Sequence, residues 1–146
     1  MDALDHAIVD ELRRDGRLTN TELADRVGLT PSPCLRRVRR LEEDGVITGY
    51  YARIDPTAAG RGFEVIVGAT LATHGGGATS AFESHVAEFA EVIELRRMFG
   101  RPDYFLRIAV ADVATYEAFL TSKLMAAPGL ATFDSHLTMK TAKSHG

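Results

Sequence analysis

The segment GLTPSPCLRRVRRLEED, residues 28–44, combines a helix-start signal with the densest positive charge in the chain. Proline is tolerated in the first turn of a helix because the amides there have no intrahelical partner. The run Thr30–Pro33 therefore predicts that a helix begins there, and its pattern continues to about Asp44. Gly28 and Leu29 leave room only for a tight turn before it.

A stripe of apolar residues sets the orientation that we predict for this helix. Leu35, Val38 and Leu41 recur at i, i+3 and i+6, with Cys34 beside them, as on a helix face turned toward a core. The opposite and flanking faces carry four arginines that we expect to project into solvent: Arg36, Arg37, Arg39 and Arg40. Because the whole chain has a net charge of −3, attraction to a polyanion would have to come from this local patch.

Two shorter helices are predicted before the arginine-rich one. Apolar residues repeat every four positions along Leu4–Leu12, which indicates a helix that ends near Gly16. Thr19 and Glu22 then have the spacing of a capping box, and Gly28 is suited to the left-handed residue that ends the second helix. A tight turn between two helices, the second exposed at its start and basic along its body, predicts a helix-turn-helix.

Two segments without helical periodicity are predicted after these helices, and a second domain follows them. Residues 45–54 are predicted to form a strand pair or an extended wing, which completes a winged helix-turn-helix domain over residues 1–54. Residues 55–62 contain one Pro and two Gly and are predicted to be a linker. From residue 63 onward the apolar periodicity follows the order β-α-β-β-α-β, with Ser80 and Glu83 as a capping box at the start of the first of these helices. This order predicts a ferredoxin-like domain over residues 63–146, and an α+β class for the chain.

The predicted ferredoxin-like domain has an antiparallel sheet with both helices on one face. Its hairpin is expected over residues 92–99 and 103–110, and its last strand is expected to reach Met139. The other face would be open and would carry alternating apolar residues. Packing that face against a second copy is the simplest way to cover it, so we expect a homodimer.

The overall composition excludes several classes of protein. With 45% apolar and 25% charged residues, the chain is typical of globular proteins. It has no apolar run long enough to span a membrane and no secretory signal, so we expect a cytoplasmic protein without a membrane partner. The lone Cys34 cannot form an internal disulfide. No catalytic constellation stands out, and we expect neither an enzyme nor a bound cofactor. We also expect no metal site, because the five histidines lack ligand spacing: His6, His74, His85, His136 and His145.

Three stretches of this sequence resemble one family of proteins. The run GLTPSPCLRRVRRLEEDGVITGYYARIDP, residues 28–56, closely resembles the signature of the leucine-responsive and asparagine (Lrp/AsnC) regulators of prokaryotic transcription. LDHAIVDELRRDGRLTNTELADRVGL, residues 4–29, is similar to the family's first two helices. GRPDYFLRIAV, residues 100–110, resembles its hairpin and following strand. The resemblance implies DNA binding by the N-terminal domain, homodimers that assemble further into octamers, and amino-acid effectors held between C-terminal domains.

The arginine-rich helix is the predicted contact with double-stranded DNA. Its exposed start at Ser32 and Pro33, with Arg36 one turn further on, is placed to reach base edges in the major groove. We expect Arg37, Arg39 and Arg40 to lie along phosphates. The alternative is a solvated helix face whose arginines pair with the acidic residues that follow it at 42–44.

The resemblance places an amino-acid effector near the hairpin and the last strand. The residues that it implies are Gly100, Arg101, Asp103, His136 and Thr138. An ammonium group needs a carboxylate or carbonyl oxygens, and an α-carboxylate needs amides, a hydroxyl or a guanidinium. The segment Arg101–Pro102 departs from the family pattern, so Arg101 either clamps the effector's carboxylate or removes effector binding. The plainer alternative is that Asp103 fixes the hairpin turn and His136 is an ordinary residue of the sheet face.

Two other functions fit the same architecture. Some haem-pathway decarboxylases resemble this family, and in such an enzyme four residues could hold the iron or carboxylates of a tetrapyrrole: His74, His85, Arg96 and Arg97. The dense outward arginines argue against this function, because a decarboxylase has no use for them. The other possibility is an effector-sensing protein whose DNA-binding module has lost its role.

Overall fold

The computed structural model describes residues 1–143, and their contacts divide the chain into a unit of residues Met1–Arg53 and a second unit that begins at Ile54. The first unit contains three helices: α1 (Ala3–Arg14), α2 (Asn20–Val27) and α3 (Pro31–Glu43). No helix among the described residues is long and apolar enough to cross a bilayer.

The ends of α2 confirm the capping prediction. The Thr19 side chain accepts a hydrogen bond from the Glu22 amide, and the Glu22 side chain accepts one from the Thr19 amide. Gly28 follows with a φ of 70°, in the left-handed region that a residue without a Cβ adopts most readily. The backbone can therefore leave α2 and begin α3 within three residues.

The buried stripe of α3 differs from the predicted one. Cys34 and Leu41 are fully buried and Val38 packs beside them, whereas Leu35 is 38% exposed. Cys34, Val38 and Leu41 follow an i, i+4, i+7 pattern, which keeps them on one line of a helix that turns roughly 100° per residue. Leu35 lies about a quarter-turn from that line, so its assignment to the core is wrong.

Of the two structures predicted for the segment after α3, a strand pair or an extended wing, the strand pair is absent. The amides of Val46 and Ile47 both donate to the Leu41 carbonyl, which ends α3, and only Ile47 packs against the core. No strand forms between α3 and residue 62. Residues 55–62, predicted to be a linker, contain turns with internal hydrogen bonds, including Arg61 N to Pro56 O at 2.7 Å.

The second unit has the predicted ferredoxin-like topology. Its elements are β1 (Phe63–Leu71), α4 (Ala78–Ala87), β2 (Val92–Arg97), β3 (Tyr104–Val110), α5 (Val113–Ser122), a short 3-10 turn (Leu124–Ala126) and β4 (Leu130–Leu137). The strands are antiparallel in the order β2-β3-β1-β4. The last strand stops at Leu137, two residues before its predicted end.

The inner face of this sheet packs against the two helices. Val65, Val67 and Ala69 alternate along β1 and are fully buried, in agreement with the period of two in the sequence. They form one core with aromatic residues of the helices, including Phe82 and Phe119.

The start of α4 contradicts the predicted capping box. The helix begins at Ala78 after Gly77, so Ser80 lies inside it. The Glu83 side chain instead accepts a hydrogen bond from the Tyr104 hydroxyl at 2.7 Å. That bond joins α4 to β3 and satisfies a hydroxyl whose ring is buried.

The outer face of the sheet is less apolar than expected. Ile66 and Phe105 are half-buried there, but Arg107 lies between two carboxylates. Its guanidinium is 3.0 Å from Glu64 Oε2 and 3.2 Å from Glu94 Oε2. This row of charges crosses three strands, so ion pairs interrupt the apolar residues that were expected on the open face.

Candidate nucleic-acid interface and effector site

The outward face of α3 presents two cations that pair with no carboxylate in the described part of the chain. Ser32, Arg36 and Arg39 are exposed and recur at i, i+4 and i+7 along one side of the helix. Within residues 1–143, neither Arg36 nor Arg39 has a carboxylate oxygen within 4.0 Å of its guanidinium. Pro33 is half-buried at the flank of this face. Two full positive charges therefore remain available to a polyanion.

The other two arginines of α3 bind α1 instead. Arg37 Nη1 is 2.7 Å from Asp2 Oδ2 and 2.8 Å from Asp5 Oδ1. Arg40 Nη2 is 2.8 Å from both oxygens of Asp5. The expectation that all four arginines point freely into solvent is thus wrong for Arg37 and Arg40, because acids near the N-terminus attract them.

Asp5 is the centre of this ion-pair cluster. Its side chain is only 2% exposed, and it also accepts a hydrogen bond from the Asp2 amide, while Asp2 caps the Asp5 amide in return. The Asp2 amide, followed by the two guanidiniums, lowers the pKa of Asp5 to about 2 despite its burial. The carboxylate is therefore ionised at neutral pH and fixes α3 against α1. The spacing Asp2-x-x-Asp5 is a capping-box pattern, and this signal could have identified both acids from the sequence.

We expect Asp5→Asn to destabilise the first unit at neutral pH, since Arg37 and Arg40 lose their shared negative partner. The pKa of Asp5 is about 2 in the folded protein and 3.8 in its ordinary state. The stabilisation is therefore complete above about pH 4 and is lost as the pH falls toward 2. The difference in thermal midpoint between wild type and Asp5→Asn should narrow over that range.

Asp10→Asn is the matched control for this measurement. Asp10 is an exposed acid on the same helix, and its substitution should change the thermal midpoint little at any pH. A gap between wild type and Asp5→Asn that stays constant from pH 7 to pH 2.5 would contradict the role assigned to the Asp5 carboxylate.

The hairpin acid predicted for the effector site has two partners within its own chain. Asp103 Oδ2 accepts a hydrogen bond from the Leu71 amide at 2.8 Å, and Oδ1 lies 2.8 Å from His74 Nε2. The Leu71 amide, and then His74, lower the pKa of Asp103. Gly100 and Arg101 are exposed in the same hairpin. Asp103 thus ties the hairpin to the end of β1.

The remaining effector residues lie toward the opposite end of β1. His136 is exposed and pairs with Ile66, and the Thr138 amide is 3.5 Å from the Glu64 carbonyl. Glu64 and Leu71 are seven residues apart, roughly 23 Å along a strand at about 3.3 Å per residue. One chain therefore does not bring the hairpin residues and the last-strand residues into a single site.

The residues considered for a tetrapyrrole have separate local partners. His85 packs edge-on against Phe89 at 5.0 Å between ring centroids, and Arg96 pairs with Glu94. Arg97 Nη1 lies 3.8 Å from Glu83 Oε1. In the described part of the chain, no three His, Cys, Asp or Glu side chains are grouped so that they could hold a metal ion. His145 lies outside the described residues.

Two family models match this chain. Residues 1–48 match a model described as winged helix-turn-helix DNA-binding, and residues 64–146 match one described as the Lrp/AsnC ligand binding domain. Each model matches within one of the two structural units.

Relatives match nearly the whole chain. The Bkd operon transcriptional regulator of Pseudomonas aeruginosa is 40% identical over 96% of this chain and 92% of its own length. The leucine-responsive regulatory protein of Escherichia coli K12 is 36% identical over 98% of this chain and 87% of its own. Both are named as regulators rather than enzymes, so neither supports the decarboxylase alternative.

Solved structures have the same fold. An AsnC family transcriptional regulator from Agrobacterium tumefaciens superposes with a TM-score of 0.93 at 37% identity, covering 99% of this chain and 94% of that one. A transcriptional regulator from Neisseria meningitidis, solved as a complex with L-methionine, has a TM-score of 0.94 at 30% identity and the same coverage. This chain belongs to the Lrp/AsnC family of DNA-binding transcriptional regulators, with a helix-turn-helix unit followed by a ligand-binding domain.

Proposed function

We propose that this regulator binds double-stranded DNA by placing α3 in the major groove, with Ser32, Pro33 and Arg36 toward base edges. Arg39, which is exposed and unpaired with any described residue, faces the same way and contacts a base or a phosphate. The observation that carries this proposal is the division of the α3 arginines: Arg36 and Arg39 have no carboxylate partner among residues 1–143, whereas Arg37 and Arg40 bind Asp5. The bonds to Asp5 hold α3 against α1, and Arg36 and Arg39 lie on the face that would enter the major groove.

Arg37 and Arg40 take a different part in this proposal from the phosphate contacts first predicted for them. Arg37 is only 24% exposed and is bonded to two carboxylates, so its main role is to orient α3. The Arg40 side chain is 52% exposed and retains donors that could reach a phosphate. Its contact with DNA is therefore compatible with its bond to Asp5, because a guanidinium has five N–H donors.

We further propose that the protein acts in the cytoplasm as a homodimer, which assembles to octamers. In a two-fold dimer, two α3 helices can meet successive major grooves about one helical turn, roughly 34 Å, apart. Two copies also present twice as many of these guanidiniums at one DNA site, so the local positive patch grows although each chain has a net charge of −3.

The proposed effector is an amino acid. The Neisseria regulator was solved with L-methionine, and this chain offers an exposed Arg101 for the α-carboxylate and the Asp103 carboxylate for the ammonium group. Because Asp103 and Thr138 lie at opposite ends of β1 within one chain, a site that uses both needs residues of a second copy. We therefore place Gly100, Arg101 and Asp103 on one side of the site, and His136 and Thr138 of another copy on the other.

A thermal-shift screen of the twenty amino acids tests this effector proposal. Binding to the folded state stabilises it by about 2.7 kcal/mol at a ligand concentration of one hundred times Kd. At least one amino acid should therefore raise the midpoint by several degrees, and Arg101→Ala should remove that rise.

Arg61→Ala is the matched control, since Arg61 is also exposed in the second unit and its loss should leave the ligand-induced rise in place. If none of the twenty amino acids shifts the midpoint of the wild type, Arg101 has removed effector binding and the proposal fails. The proposal that α3 binds DNA does not depend on the effector and would still stand.

A further inference from the structure

Leu35 is an apolar residue on the basic side of α3. Single exposed leucines are common on protein surfaces, so its 38% exposure alone indicates no function. Its neighbours make the position unusual. Ser32, Arg36 and Arg39 lie at i−3, i+1 and i+4, and all three are exposed. The side chains on this side of the helix line one surface hollow of about 450 Å³: Ser32, Leu35, Arg36, Arg39, Arg40 and Glu43.

The charges around Leu35 indicate what could cover it. Arg36 and Arg39 have no carboxylate partner among residues 1–143, so a partner that packs on Leu35 must also accept two guanidiniums. DNA satisfies both demands, since its phosphates and guanine edges accept hydrogen bonds from arginine. In the major groove, the 5-methyl group of thymine is its apolar feature.

The position of Leu35 along α3 is consistent with a contact to bases. It is the fifth residue of the helix, within the first turn and a half. In helix-turn-helix proteins the N-terminal residues of the second helix face base edges, whereas residues further along lie nearer the backbone. Ser32 and Arg36, the residues proposed to face bases, precede and follow Leu35 along the helix.

We propose that Leu35 is a specificity-determining residue that packs against the 5-methyl group of a thymine in each half-site. This inference rests on the proposed binding of DNA by α3. It assigns Leu35 a sequence preference that the arginines do not supply, because arginine favours guanine.

Replacing thymine with deoxyuridine tests this contact directly, since uracil lacks only the methyl group. Wild-type protein first selects its preferred duplexes from a random pool, and each thymine of the selected site is then replaced singly by deoxyuridine. We expect wild-type affinity to fall about fourfold at one position per half-site, the effect of removing one buried methyl group. Leu35→Ala should bind the thymine duplex more weakly than wild type and be insensitive to the replacement at that position.

Two controls make the outcome decisive. Leu35 is partly exposed, so Leu35→Ala should keep the thermal midpoint of the wild type. Val46→Ala, which truncates another exposed apolar residue of the first unit outside α3, should respond to deoxyuridine as the wild type does.

Other results would overturn the proposal in distinguishable ways. One such result is that the wild type binds every deoxyuridine duplex as tightly as the thymine duplex. Another is that each deoxyuridine replacement weakens binding by Leu35→Ala as much as it weakens binding by the wild type. Either result would show that Leu35 does not contact a thymine methyl group, although α3 still binds DNA. A Leu35→Ala protein that changes oligomeric state by light scattering and keeps its deoxyuridine sensitivity shows that Leu35 contacts a second copy. Failure of the wild type to select any sequence overturns the DNA interface itself, and this proposal with it.

Discussion

Replacing both Arg36 and Arg39 with alanine is expected to lower the affinity for the selected DNA site by about 10³-fold or more near physiological salt. Each guanidinium that bonds a base is worth about 1–3 kcal/mol of discrimination, and each phosphate contact adds a salt-dependent term. Because the two arginines occur on both copies in a dimer, four cations are lost from one site. Fluorescence anisotropy with the selected duplex, over a series of salt concentrations, measures the effect.

Arg13→Ala combined with Arg17→Ala is the matched control. These two exposed arginines belong to the same unit, so the change in net charge is identical, but neither lies on α3. We expect a loss of less than about fivefold, from the weaker general attraction. An equal loss in both double variants would show that only net charge matters and that the face of α3 makes no specific contact. Arg37→Ala provides the contrast. It should clearly lower the thermal midpoint of the first unit, whereas the dependence of DNA affinity on salt concentration should change little.

The largest effect on stability is expected from Phe82→Ala in the second unit. Phe82 is fully buried between α4 and the sheet, with its ring centroid 4.8 Å from that of Tyr104. Removing a buried phenylalanine side chain costs about 3–5 kcal/mol, because both its transfer energy and its packing contacts are lost. Calorimetry at fixed protein concentration should show the second unit melting more than about 10 °C lower.

Two further variants check that this loss of stability comes from the space left by the buried ring. Phe82→Leu keeps most of the buried volume and should lose less than half as much stability. Phe99→Ala removes a ring that is fully exposed and should leave the midpoint nearly unchanged in the absence of an effector. A Phe82→Ala protein that melts with the wild type would contradict the core described for this unit.

Local patterns in the sequence were sufficient where the determining contacts are local. The capping box of Thr19 and Glu22 and the left-handed Gly28 join residues within four positions of one another, so their spacing alone predicts the ends of α2. The strands of the second unit could also be predicted, since alternate burial along β1 requires only that one face meets a core.

The same kind of pattern failed where a distant residue competed for the side chain. Ser80 and Glu83 have the spacing of a capping box, but Gly77 starts α4 three residues earlier and Glu83 bonds Tyr104, 21 positions away. The strand pair, one of the two structures predicted after α3, is also absent, because turn-forming glycines cannot show whether a segment has a neighbouring strand to pair with.

The sequence by itself determined the order of helices and strands, the division into a helical unit and a sheet unit, and the presence of a basic helix after a tight turn. Which cations of that helix are free was decided only by tertiary structure. Asp5 lies 32 residues from Arg37 and 35 from Arg40, so the ion pairs exist only once α1 packs against α3. The exposure of Leu35 has the same origin, since the line of α3 that meets the core depends on where α1 and α2 lie. The periodicity of a sequence shows which residues share one face of a helix or strand. What that face packs against depends on residues far away in the sequence.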